Sequence, residues 1–308
     1  MASRRVAVIG AGISGAACAK ALRERDVAVD IFERGRAPGG RLASPMVQGR
    51  RVDLGAAYFT VKDEAFAAVV DDWVSRRLVH PWTDTFEVLS PGGRDVTTGP
   101  VRFATTGGLR SLARGVLPDD VRFDTPVESV DTLNHDAVVL AMPDPQAARL
   151  APGACDWVDY EPVIAVAAGW ARRCWTMQNA AFVNDDPDVS FVADDGARRG
   201  DGAAVLVAHT TASRARAHLD TPDDAVAPVM AAVRRLLDIT TEPSWVHVHR
   251  WTFAKPSGTH GDAEFGLVTG QRPLGICGDA WCPTGAPRVE SAWLSGGRLA
   301  AAIAETLS

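Results

Sequence analysis

The chain has 308 residues, enough for a large core in one discontinuous two-lobed protein or two modest domains. Hydrophobic residues make up 46% and charged residues 23%, as in an ordinary globular enzyme. A formal net charge of −6, with no long Lys/Arg run, leaves no surface for nucleic acid, and no stretch of about 18 apolar residues would span a membrane.

Taken from the start, Ser3-Arg4-Arg5 before an apolar run resembles an export signal, but residues 6–9 are instead a β-branched strand leading into Gly10-Ala11-Gly12-Ile13-Ser14-Gly15. Residues 16–25 read as a helix and 27–32 as a second strand ending at Glu33, which completes a βαβ unit. A Pro/Gly loop follows over 36–40, with helical spacing over 63–77 and a β-hairpin over 82–101 turning at Pro91-Gly92-Gly93. Residues 108–116 read as a helix, 121–130 as a strand pair interrupted at Pro126, and 137–141 as a buried strand. Beyond Pro152 the pattern becomes that of a sheet with one solvated or ligand-facing side. Its strands are expected at 163–170, 203–210 and 244–253, with a helix at 225–237. A short strand at 274–277 and an Ala-rich helix at 289–307 return the chain to its first lobe.

The GxGxxG spacing has a physical purpose: its glycines allow a tight turn, close approach of backbone to a pyrophosphate, and tight packing of helix on strand. The helix N-terminus then presents free N–H groups to the phosphates. Glu33 lies about 18 residues past the last glycine, the spacing of an acid that binds a ribose. The unit predicts dinucleotide binding without distinguishing NAD from FAD. Pro287 near the start of the last helix suggests an N-terminus whose N–H groups could face a flavin ring, or an ordinary packing helix.

Cys18, Cys155, Cys174, Cys277 and Cys282 form no CxxC pair, which points to a reducing, cytoplasmic setting. No metal site is expected, since Cys277 and Cys282 lack His partners and His247 with His249 lack a third ligand. Lysine occurs only at 20, 62 and 255, and Lys255 reads as a surface-loop residue. His209 and Trp251 fit either a substrate cavity or a sheet core.

Gly39-Gly40-Arg41, Asp53 to Phe59, Arg102-Phe103 with Gly107-Gly108-Leu109, His209-Thr210-Thr211 and Gly278-Asp279 resemble segments of the FAD amine oxidase superfamily, and within it the renalases. The resemblance implies an α/β fold: a Rossmann-like FAD-binding domain from residues 1–60, 100–152 and 270–308, and an α+β substrate domain from 61–99 and 153–269. The second would be built on an antiparallel sheet in a p-hydroxybenzoate hydroxylase-like arrangement. It implies non-covalent FAD, with Gly10, Ala11, Gly12, Ile13, Ser14 and Gly15 on the pyrophosphate and Glu33 on the adenosine ribose. Arg34, Gly40, Arg41, Met142, Gly278, Asp279, Val289, Glu290 and Ala292 complete the site, Val127 meeting the adenine and Ala57 and Tyr58 the isoalloxazine. Tyr58, His209 and Trp251 would line the substrate cavity. The implied reaction takes hydride from dihydronicotinamide isomers of NAD(P)H and passes the electrons to O₂, giving H₂O₂. Oxidation of an amine or another small reduced substrate, and non-catalytic FAD binding, remain as alternatives.

Overall fold

In the computed structural model, which describes residues 4–283 and 285–308, β1 (Arg5–Ile9), α1 (Ile13–Arg23) and β2 (Ala28–Phe32) form the expected βαβ unit. The short strands β3 (Met46–Val47), β4 (Arg50–Arg51) and β5 (Phe59–Thr60) precede α2 (Glu64–Ser75) and the hairpin of β6 (His80–Ser90) and β7 (Gly93–Ala104). Next come α3 (Arg110–Val116), β8 (Ala137–Leu140), α4 (Asp144–Leu150) and β9 (Tyr160–Gly169). The chain continues through β10 (Ala180–Val183), β11 (Val189–Asp194), α5 (Asp195–Arg199), β12 (Val205–Thr210), α6 (Ala212–Ala217), α7 (Val226–Leu236) and β13 (Trp245–Pro256). It ends with β14 (Gly266–Val268), β15 (Leu274–Ile276) and α8 (Val289–Leu307).

Two sheets organise these elements. The first has the order β14-β15-β8-β1-β2, parallel except where β14 meets β15. Val6 to Ile9 and all of β8 are buried, because α1 and α8 cover one face of the sheet while α4 and the loop residues Val127 and Trp281 cover the other, leaving no position for a polar side chain. α8 returns across α1, and Gly296 permits the contact: a Cβ there would lie 2.1 Å from the Ser14 carbonyl oxygen.

The second sheet has the order β13-β9-β12-β11-β10-β6-β7-β5 and is antiparallel except for the β6–β10 pair. One of its faces packs under α7, where Val229, Met230 and Val233 meet Ile164, Val166, Val192 and Leu206. The other face turns to the segment after β4, where Leu54 packs with Ala165, Ala167 and Val207.

Sequence and structure differ at identifiable places. Residues 121–130 do not form a strand pair: a single bridge joins Arg122 to Phe32, and Val130–Thr132 is a 3-10 turn. Val127 is therefore on a loop beside the end of β2, held where the Thr125 N–H donates to the Glu33 carbonyl at 3.0 Å. Lys255, expected in a surface loop, is an exposed residue of β13 paired with Glu161. β7 runs through the expected division between residues 99 and 100. Of the apparent export signal, Ser3 lies outside the described residues, while Arg5 opens β1. Among the described residues no helix is long and apolar enough to cross a membrane.

Candidate functional site

The turn between β1 and α1 shows what each glycine does. Gly10 has φ +109°, and a Cβ on it would stand 2.3 Å from the Ala141 carbonyl oxygen; a Cβ on Gly15 would stand 2.0 Å from that of Gly10. Both positions are closed by packing. Gly12, which caps α1, is different, since a Cβ there would meet nothing within 4 Å. The open space lies at the N-terminus of α1, bounded by Gly40, whose Cβ would be 3.7 Å from the Gly12 Cα. Ser14 is buried in the first turn of α1, beside Ile13. An open, backbone-lined cradle at a helix N-terminus fits a pyrophosphate.

Glu33 closes one end of this cradle. Its carboxylate accepts from the Ala11 N–H at 2.9 Å and from the Gly35 N–H at 2.7 Å, while neighbouring Arg34 is exposed. At the other end Arg41 makes a two-pronged ion pair with Asp279, at 2.7 and 2.6 Å. Burial opposes charge on Arg41, but Asp279 outweighs it and holds the guanidinium protonated. Tyr160 lies 3.4 Å from the same carboxylate, and burial followed by the Asp279 charge raises its phenol well above the ordinary range. Gly278 adjoins this pair, with Met142 across from it, since a Cβ on Gly278 would be 3.8 Å from the Met142 carbonyl.

At the start of α8, Val289 and Ala292 are buried against Ile13 and Leu42. The Glu290 carboxylate accepts from the Lys62 and Asp63 N–H groups at 2.6 and 2.8 Å and so secures the entry to α2.

Residues 53–58 connect the cradle to the second sheet. The Gly55 position is pressed against Arg41, since a Cβ would sit 1.9 Å from its carbonyl oxygen. The Trp251 indole donates to the Leu54 carbonyl at 2.7 Å. Burial, then the positive charges of Lys255 and Arg198, push the His209 imidazole down to about 4 against a backbone hydrogen bond at Leu54. Burial and then the His247 and Arg110 charges also lower His249.

Strand register places several aromatic residues on this same face. His209 lies opposite Phe191, Phe191 opposite Phe182, and Ala165 opposite both His209 and His249. Tyr58 meets this wall, its ring 5.2 Å from Phe86, 6.3 Å from Phe191 and 6.4 Å from Trp82. Tyr58, His209 and Trp251, distant in sequence, are thus brought to one surface.

Beneath residues 53–58 is a buried charge network that the sequence reading missed. Arg198, only 1% exposed, pairs with Asp53 and with Asp195 and donates to the Ala57 carbonyl at 3.1 Å. Arg199 reaches the same two carboxylates at 3.1 and 3.0 Å, and Arg50 reaches Asp195 at 2.8 Å. Burial alone would raise the Asp195 carboxyl, but Arg198, Arg199 and Arg50 outweigh it and hold it below the usual range. Asp53 also binds Ser44 and accepts from the Leu109 N–H at 3.0 Å, so the network fixes several backbone turns at once. The available sequence signal was the Asp194-Asp195-Gly196-Ala197-Arg198-Arg199 run, too charged for an ordinary core helix.

A nucleotide cradle on a Rossmann-like sheet, joined to a second sheet that supplies an aromatic wall, defines a dinucleotide-dependent oxidoreductase. Comparison with known proteins narrows the class. Residues 97–304 match the family described as flavin containing amine oxidoreductase, and residues 8–73 match the NAD(P)-binding Rossmann-like domain. The chain belongs to that flavin amine oxidoreductase family and is an FAD-dependent oxidoreductase. It is similar to renalase of Mus musculus, with 20% identity across 89% of this chain and 92% of that protein. Its fold is that of cyclohexylamine oxidase from Brevibacterium oxydans IH-35A, with a TM-score of 0.76, 16% identity and 99% of each chain covered. Putrescine oxidase bound to putrescine gives a TM-score of 0.72 at 16% identity, over 98% of this chain and 99% of the other.

Proposed function

We propose that this protein is a renalase-like oxidase that takes hydride from dihydronicotinamide isomers of NAD(P)H and uses O₂ as the final acceptor, releasing H₂O₂. The observation that carries this reading is the wall around Tyr58, which is aromatic and has its histidines held neutral. His209, with its pKa near 4, has no proton to give at neutral pH and carries no charge that would repel a cationic product ring. Hydride donation asks the protein to stack and orient a ring, a task suited to aromatic surfaces and indifferent to an acid/base pair. The flavin supplies the hydride acceptor. Similarity to mouse renalase over most of both chains supports the same reading.

In this reading the Gly10 to Gly15 turn takes the pyrophosphate, with Ala11 and Ile13 in the same turn, and Glu33 takes the ribose hydroxyls. Arg34, Gly40, Arg41, Met142, Gly278, Asp279, Val289 and Ala292 border the cofactor. The Val127 backbone meets the adenine, and Ala57 and Tyr58 face the ring. Glu290 acts indirectly, by holding the turn into α2. The two sheets correspond to an FAD domain and a substrate domain in a p-hydroxybenzoate hydroxylase-like arrangement. Five cysteines without a CxxC pair support a cytoplasmic setting.

Lys255 favours a second reading. Its charge reaches His209 on the wall, and cyclohexylamine oxidase and putrescine oxidase, which share the fold, are named for amine substrates. Anaerobic mixing of the yellow protein with borohydride-reduced NAD⁺, which contains the dihydro isomers, and separately with amines distinguishes the two. Rapid bleaching by the reduced nicotinamides is expected. Bleaching by amines alone would overturn the leading reading, and bleaching by neither would identify a non-catalytic FAD-binding protein.

A further inference from the structure

Arg102 on β7 is the least compensated buried cation beside the aromatic wall. The residue is only 6% exposed, yet no carboxylate pairs with it among the described residues. One arm of its guanidinium donates to the Asp84 carbonyl at 2.5 Å, and its plane lies 3.9 Å from the centre of the Phe86 ring and 5.6 Å from that of Tyr58. Its Nε is buried without an acceptor. The Trp82 Nε1, in a ring 5.2 Å from Phe86 and 6.4 Å from Tyr58, is also buried without one.

Two buried donors on side chains that flank the same Phe86 ring are costly to leave unanswered, because each has lost its water and gained nothing in return. A ring face attracts a guanidinium but does not neutralise it, and the Asp84 carbonyl accepts from one arm of the fork while Nε is left without an acceptor. The ligand chemistry that answers both donors is an oxyanion, which offers several acceptors and a compensating charge in the planar geometry that arginine matches.

We propose that Arg102, with the Trp82 indole beside it, is a specificity residue that binds an oxyanion of the substrate while the reacting part of that substrate lies along Tyr58. The inference rests on the reading above only for that placement beside Tyr58. Under the nicotinamide reading the oxyanion is a substrate phosphate; under the amine reading it is the carboxylate of an amino acid.

Titration of the FAD-loaded protein, followed by the flavin difference spectrum, tests the proposal with two pairs of probes. Nicotinamide mononucleotide is compared with nicotinamide riboside, and phenylalanine with phenethylamine. In one pair the oxyanion-bearing probe should bind about tenfold more tightly or better, as expected for a charge-assisted contact. Arg102→Gln should bring that pair to within about twofold while flavin content stays unchanged. Arg102→Lys, which keeps the charge but loses the fork, should retain part of the preference and serves if Arg102→Gln does not load flavin. The first pair indicates a phosphate and the second a carboxylate. Equal binding within both pairs, no binding of either oxyanion probe, or a preference that survives Arg102→Gln would overturn the proposal. A phosphate preference in a protein whose flavin no reduced nicotinamide bleaches would leave this inference standing and remove the functional reading.

Discussion

Replacing Arg198 by Met tests whether the buried network, more than sheet packing alone, holds residues 53–58 in place. Arg198 is 1% exposed and contacts Asp53, Asp195 and the Ala57 carbonyl, so the substitution strips two buried carboxylates and one carbonyl of a partner. Removing one member of a buried ion pair costs about 3–5 kcal/mol, because the other charge stays buried. Here Arg199 still reaches both carboxylates, at 3.1 and 3.0 Å, so the lower end, about 3 kcal/mol, is expected. Urea unfolding of the flavin-free protein measures it, and flavin retention on dilution should fall as well, since the Ala57 carbonyl loses its anchor. Combining Arg198→Met with Asp53→Asn should recover part of the loss, because the carboxylate left with Arg199 alone is then neutral while Asp195 keeps both Arg199 and Arg50. A single-variant loss below about 1 kcal/mol would refute the reasoning and leave the network as packing filler.

The two glycines that differ in their surroundings should fail in different ways. Gly12→Ala adds a methyl to open space and should leave the fold intact while lowering FAD affinity, whereas Gly15→Ala collides with the Gly10 carbonyl and should destabilise the flavin-free protein too; equal unfolding midpoints for both variants would contradict this. Stability should also fall between pH ~6.5 and pH 4, because unfolded histidine takes up a proton in that window and His209 does not until about 4. His209→Gln should flatten that part of the profile, measured by urea midpoints, and an unchanged slope would show that His209 does not titrate as buried. Loss below that window falls to depressed carboxyls such as Asp195, whose stabilisation is present above the unfolded value and vanishes as pH drops through the folded one.

The first sheet was legible in the sequence because its determinants are local. Glycine spacing, a β-branched run and an acid at the end of β2 fall within about 30 residues and constrain one another. α8 was found to the residue, its Ala-rich periodicity being long enough to stand out. Residues 121–130 misled because alternation and Pro126 imitate an edge strand, while the backbone there forms one bridge to Phe32 and then turns, bonding to Glu33 and Gly35. β10 and β11 escaped notice as short segments with small residues, although they carry Phe182 and Phe191 of the wall. The charge network was invisible for another reason: Asp53 and Arg198 are 145 positions apart, and neither neighbourhood shows that the other will neutralise it. The Glu290 side chain's part in the entry to α2 was hidden for the same reason, since it depends on which backbone N–H groups lie near it, here those of Lys62 and Asp63.

Residues 53–58 also explain how the two lobes can be coupled and yet vary separately. The cradle holds this segment through Arg41, the second sheet holds it through Trp251 at Leu54, and the buried arginines hold it through Asp53 and Ala57. Three independent anchors on six residues leave little freedom to the backbone that bears Tyr58. The surrounding wall is not anchored in that way, since Phe86, Phe182, Phe191 and Arg102 contribute only side chains from strands whose backbone pairing does not depend on them. Substitution along those strands can therefore reshape what is recognised while the cradle and its connection to Tyr58 stay fixed. Under the proposed reading, a single cofactor site can thus serve chemically different reduced substrates, because the position of the reacting ring and the selectivity of the wall are set by different residues.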